Sequence, residues 1–135
     1  MASKPVLTLE DAKRIAAAAE GEAQDNDWRV VIAVVDDGGH LLYLQRGHET
    51  QFGSVETAIQ KARAAAAFHR PTKASEDAVL SGRLIHLALP GVIPAEGGVP
   101  LEADGFVVGG LGVSGVRSFQ DGQIAAAGVA ALSKG

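Results

Sequence analysis

The stretch Gly110-Leu-Gly-Val-Ser-Gly115 has the spacing G-x-G-x-x-G and follows a strand-like run, Gly-Phe-Val-Val-Gly, at 105–109. In a dinucleotide-binding unit such glycines let a pyrophosphate reach a helix N-terminus. That unit also needs a second parallel strand and an acidic residue roughly 20 positions further on. Only 20 residues follow Gly115, and most of them read as one helix. Ser118, not the glycine run, marks the start of that helix, so its dipole is not aimed at the loop. The spacing therefore does not describe a nucleotide site. The glycines instead thin a strand so that a helix, a ligand or a neighbouring subunit can approach its backbone. Gly112-Val-Ser-Gly-Val116 is not a nucleophile elbow either, because valine stands where the last glycine is needed.

A chain of 135 residues is the size of one ordinary domain, expected here over 1–135. Its hydrophobic fraction of 47% supports a core, but aromatics are only 4% and much of the rest is alanine. Small side chains cover little area each, so helices must pack tightly or subunits must add burial. Net charge is -4 with no basic stripe, which argues against a nucleic-acid partner. There is no cysteine, so no disulfide or thiolate chemistry. No apolar run is long enough to span a bilayer, so a soluble cytoplasmic protein without a membrane partner is expected.

Thr8 and Asp11 form a capping pair, and Leu9, Ala12, Ile15, Ala16 and Ala19 recur at helical spacing, which predicts a helix over 9–24. Val30–Asp36 and His40–Arg46 read as strands of a hairpin turning at Asp37-Gly38-Gly39. Ser54 is the expected cap of a second helix reaching His69, ended by Pro71. A short helix follows around 75–80, and Arg-Leu-Ile-His-Leu-Ala-Leu at 83–89 fits strand or helix equally. Pro90 to Pro100 is a constrained loop with three prolines and three glycines. A second hairpin turns at Ala103-Asp104-Gly105, and Ser118, with Asp121 as its partner, caps the last helix. The order α-ββ-αα-ββ-α predicts an α+β domain, helices packed on a central antiparallel sheet.

The segments VVIAVVDDGGHLLYLQR, GSVETAIQKARAAAAFHRPT, LPGVIPAEGGVPLEADGFVVGGLGVSG and QDGQIAAAGVAAL together resemble the GlcG/HbpS family, over about Leu7 to Leu132. The resemblance implies a profilin-like or GAF-like layered fold, which agrees with the order above. It also implies a homo-oligomer, a dimer, tetramer or octamer. Family members occur in catabolic gene clusters and some bind haem, so haem or another small metabolite is the implied ligand. The chain departs from the usual pattern at Gly47-His48-Glu49, and it lacks paired glutamates at helical spacing.

Four histidines compete for a site. His40 fits a surface capping role, and His86 a half-buried one among leucines. His69 suits the C-terminal end of its helix as a cation. No spacing of His and Cys marks a metal centre, whereas a single axial haem histidine leaves no spacing signature. A functional reading joins the remaining unusual polar residues in one pocket, within a subunit or between subunits. Arg46, Lys61 and Arg70 would meet ligand charge. His48 and His69 would move a proton or ligate a metal, with Glu49 or Glu96 as the orienting carboxylate. Gly97 and Gly98 would let backbone approach the ligand. The alternatives are a binding module for haem or a similar cofactor, a small hydrolase or isomerase working by acid–base chemistry, and a scaffold without chemistry, in which Arg46 and Lys61 are solvated or paired.

Overall fold

The structure, a computed structural model, describes residues 1–133. Helix α1 spans Leu9–Asp25, followed by strands β1 (Val31–Asp36) and β2 (Leu41–Arg46). Helices α2 (Ser54–Phe68) and α3 (Lys73–Leu80) come next, then a 3₁₀ turn at Leu84–Leu87. Strands β3 (Gly98–Ala103) and β4 (Phe106–Ser114) lead to helix α4 (Ser118–Leu132). The four strands make one antiparallel sheet in the order β2-β1-β4-β3. The expected α+β order holds.

The period of two in β1 sorts its side chains between the faces. Ile32 and Val34 join Ile15, Leu111, Val113 and Ile124 in the main core under α1 and α4. Val31, Ala33 and Val35 face the alanines of α2 on the other side. On that side β4 presents glycine. A Cβ at Gly112 would overlap the Ala58 carbonyl oxygen, one at Gly110 that of Ala62, and one at Gly98 that of Lys61. The glycine run is thus a trough into which the α2 backbone settles, and the approaching element is a helix of the same chain.

Local chemistry explains most boundaries. The Thr8 hydroxyl accepts from the Asp11 amide at 3.1 Å, and Asp11 accepts from the Thr8 amide at 3.0 Å, which closes a capping box on α1. Asp104 and Gly105 have φ of 51° and 81°, the pair of positive values a two-residue hairpin turn needs.

Several expectations need correction. Ser54 is the first buried residue of α2, not its cap; Gly53 precedes the helix with no side-chain cap. The helix ends at Phe68, because His69 turns left-handed with φ of 57°. Arg117 precedes α4, its amide bonded to Gln120 Oε1 at 3.1 Å, so Ser118 and Asp121 do not form the expected cap. The 83–89 stretch, neither strand nor α-helix, is a 3₁₀ turn with Leu84, Ile85 and Leu87 exposed.

Candidate functional site

Lys61 and Asp121 meet at the end of β4. The Lys61 ammonium donates to the Val113 carbonyl at 3.0 Å and to Asp121 Oδ2 at 3.1 Å, and both side chains are only 3% exposed. Asp121 Oδ1 accepts from the Val116 amide at 3.2 Å. Burial pushes the Asp121 carboxyl up to about 6, against the pull of Lys61. The pair ties α2, the end of β4 and the first turn of α4 together. Breaking one partner of such a pair leaves an uncompensated buried charge.

The loop expected over Pro90–Pro100 ends at Gly97, because β3 begins at Gly98, and its last residues lie against this pair. Gly97 has φ of 134°, and a Cβ there would stand 2.8 Å from Lys61 Nζ. Its carbonyl accepts from the Val113 amide at 3.0 Å, and the Gly98 amide donates to the Thr72 hydroxyl at 2.9 Å. The Glu96 amide donates to Glu76 Oε1 at 3.1 Å. Burial raises the Glu96 carboxyl pKa, against the nearby Lys73 charge. Lys61, Gly97 and Gly98, expected at a ligand, are engaged with one another and with the fold.

The remaining site candidates divide between two clefts. His48 and Glu49 line a cavity of about 270 Å³ with Trp28 and Arg29. Its floor is apolar, from the buried residues Ala23, Val30 and Ile32. The Arg29 guanidinium donates to Glu49 Oε2 at 2.7 Å, whereas His48 stands 3.8 Å from Glu49 and is 95% exposed. Arg46 sits beside this cleft but is turned to the Thr50 carbonyl at 2.8 Å.

His69 and Arg70 instead line a groove of about 560 Å³ between β3 and α4. Its walls are mainly apolar, with Val99 and Pro100 on one side and Ala126, Val129 and Leu132 on the other. Proline lacks an amide hydrogen, so Pro100 suits this outer strand. The Arg70 guanidinium stands 5.9 Å from the centre of the Phe68 ring. The pocket expected from the sequence is therefore three places: two clefts and a buried ion pair.

The sequence reading missed Trp28, Arg29 and Asp121. A signal for Asp121 was present. It heads the stripe Asp121, Ile124, Ala125, Gly128, all buried, just as Lys61 lies within the buried stripe Ala58, Lys61, Ala62, Ala65. A lone cation and a lone anion at apolar-stripe positions of two helices predict each other. Trp28 and Arg29 carry no spacing signal, because they gain meaning only where α1 ends beside β2.

A four-stranded sheet covered on both faces, with open clefts at its ends, defines a small layered α+β domain. The chain belongs to the HbpS-like family, described as haem degrading protein HbpS-like, whose profile matches residues 7–130. It is 43% identical over 114 residues to protein GlcG of Escherichia coli strain K12, covering 84% of this chain and 85% of that one. A crystal structure of a PduOC:haem complex superposes with a TM-score of 0.83 at 33% identity, covering 94% and 95% of the two chains. A double mutant of Streptomyces reticuli HbpS gives 0.85 at 33% identity, covering 96% and 89%. Among the described residues, no helix is long and apolar enough to cross a membrane.

Proposed function

We propose that this chain binds haem, or a planar ligand like it, in the groove between β3 and α4. The observation that carries this reading is the joining of a large, mainly apolar concavity to one imidazole and one guanidinium, with a single carboxylate, Glu102, also in its lining. Groove size falls within the range of small-molecule sites, which are largely apolar with few polar groups. His69 would be the residue to hold the iron through an imidazole nitrogen, and Arg70 would meet a carboxylate of the ligand. A bound haem would supply iron-centred redox and ligand chemistry. The side chains of Val99, Val129 and Leu132 would cover a ring face and keep water from it. The haem complex of the similar PduOC domain supports the same ligand class.

The acid–base reading finds less support, because His48 and His69 line different clefts. The proposal includes a homo-oligomer, since Leu80, Leu84, Ile85 and Leu87 are each more than half exposed along one segment.

Titration with hemin, followed by the Soret band, tests the site. His69→Asn keeps the left-handed backbone accessible while removing the imidazole. It should shift the band or weaken binding by about tenfold or more, and Arg70→Gln should weaken it less. An unchanged spectrum and affinity in His69→Asn would sink the assignment.

A further inference from the structure

We infer that a second copy of this chain covers the apolar face around the 3₁₀ turn, and that this contact sets Arg70 at the groove between β3 and α4. Association and ligand binding then strengthen each other. The coupling to the ligand rests on the haem reading; the covered face does not.

The 3₁₀ turn is built inside out. Leu84, Ile85 and Leu87 are 63, 57 and 63% exposed, and Leu80 just before them is 78% exposed. His86, the polar residue of the turn, is the one tucked in. Its Nδ1 is buried without a hydrogen-bond partner among the described residues. Water alone favours the reverse arrangement, with the imidazole outside and the leucines inside. From 78 to 93 the only Asp, Glu, Lys or Arg is Arg83. Depletion of charge of this kind marks the centre of an interface between copies.

The occupant follows from area. Leu80, Leu84, Ile85, Leu87, Leu89 and Phe68 leave roughly 500–600 Å² of apolar surface open, the top of the range for a monomer. Two copies placed face to face bury about 1,000–1,200 Å² there, which reaches the threshold of a specific interface. Identical patches meeting about a two-fold axis are self-complementary, so a second copy is sufficient. The same face runs on towards the ligand groove. Gly91 lies against Phe68, where an added Cβ would stand 3.7 Å from Cε2. Phe68 and Arg70 share a small cleft with Val92 and Ile93. The Arg70 guanidinium stands 5.9 Å from the Phe68 ring centre, and Arg70 lines the groove beside His69. Phe68 is 40% exposed, so its ring is only partly held within one chain. Covering the face holds the ring, and the ring holds the guanidinium.

Sedimentation and hemin titration of the intact protein test the two halves separately. The native protein should sediment as a dimer or larger. Leu84→Glu should weaken association by about tenfold or more with the circular dichroism unchanged, and Leu80→Lys, on the same face, should act alike. A monomeric native protein, or unchanged association in both variants, would overturn the inference. In Leu84→Glu hemin affinity should fall by about fivefold or more at an unchanged Soret position, because His69 is untouched. By reciprocity, hemin should tighten association of the native protein by the same factor. Phe68→Leu, which keeps an apolar side chain without the ring, should still associate but lose this linkage. Hemin affinity that is independent of association, in a protein whose Soret band responds to His69→Asn, would overturn the coupling alone. No response to His69→Asn would defeat the haem reading and the coupling with it, and sedimentation would still decide the covered face.

Discussion

The two faces of the sheet are packed by opposite means. Under α1 and α4, side chain meets side chain: Ile15, Ile32, Leu111 and Ile124 are each at most 1% exposed in one core. Under α2, main chain meets main chain, with Gly98, Gly110 and Gly112 against the carbonyls of Lys61, Ala62 and Ala58. A side-chain core can relax when a methyl group is lost. A backbone contact has no soft atom to move, so adding a side chain forces a helix off a sheet. The glycine face also positions the ion pair, because only a close α2 brings Lys61 to Val113 and Asp121.

Gly112→Val is expected to have the largest effect. Its Cβ would overlap the Ala58 carbonyl, and the loss should exceed about 4 kcal/mol or prevent folding. Urea denaturation with a loss below about 1 kcal/mol would mean that α2 moves freely, which would end the contrast between the faces.

Lys61→Ala comes next, with a cost of about 3–5 kcal/mol expected from leaving Asp121 buried without its partner. The pH dependence has a definite sign. Asp121 titrates at about 6 in the folded chain because burial disfavours its charge. An unfolded aspartate titrates near 4, so between those values the folded state holds the extra proton. The contribution of Asp121 thus raises stability as pH falls from about 6 towards 4, and is constant above that window. Carboxyl NMR of Asp121 should give a midpoint near 6; a midpoint below 4 would show that attraction to Lys61 outweighs burial.

On the side-chain face, Ile15→Val should cost only about 0.5–1.5 kcal/mol. A thermal shift as large as that of a glycine-trough variant would erase the difference between the two faces. The smallest effect belongs to Gly21, where an added Cβ meets nothing within 4 Å. Gly21→Ala in α1 should stabilise by about 0.5–1 kcal/mol through helix propensity. Destabilisation there would show that glycine intolerance is general rather than confined to the trough.

Much of the architecture was legible because it depends on neighbours in sequence. The Thr8–Asp11 box, the alternation in β1, the turn at Asp104-Gly105 and the alanine stripes all act within a few residues. The glycine run was also readable as a place of close approach, since an absent side chain has few other uses inside a strand. The sequence alone thus determined the element order, the antiparallel α+β class, the family and the need for something to lie on those glycines. Tertiary structure decided what lay there, namely α2, and where the polar residues went. His48 and His69 are 21 positions apart, flanking one helix, yet that helix separates them into two clefts. Lys61 and Asp121 are 60 positions apart, yet they share a hydrogen bond. Local pattern carries no information about such distances, because burial and charge pairing depend on which elements the folded sheet brings side by side.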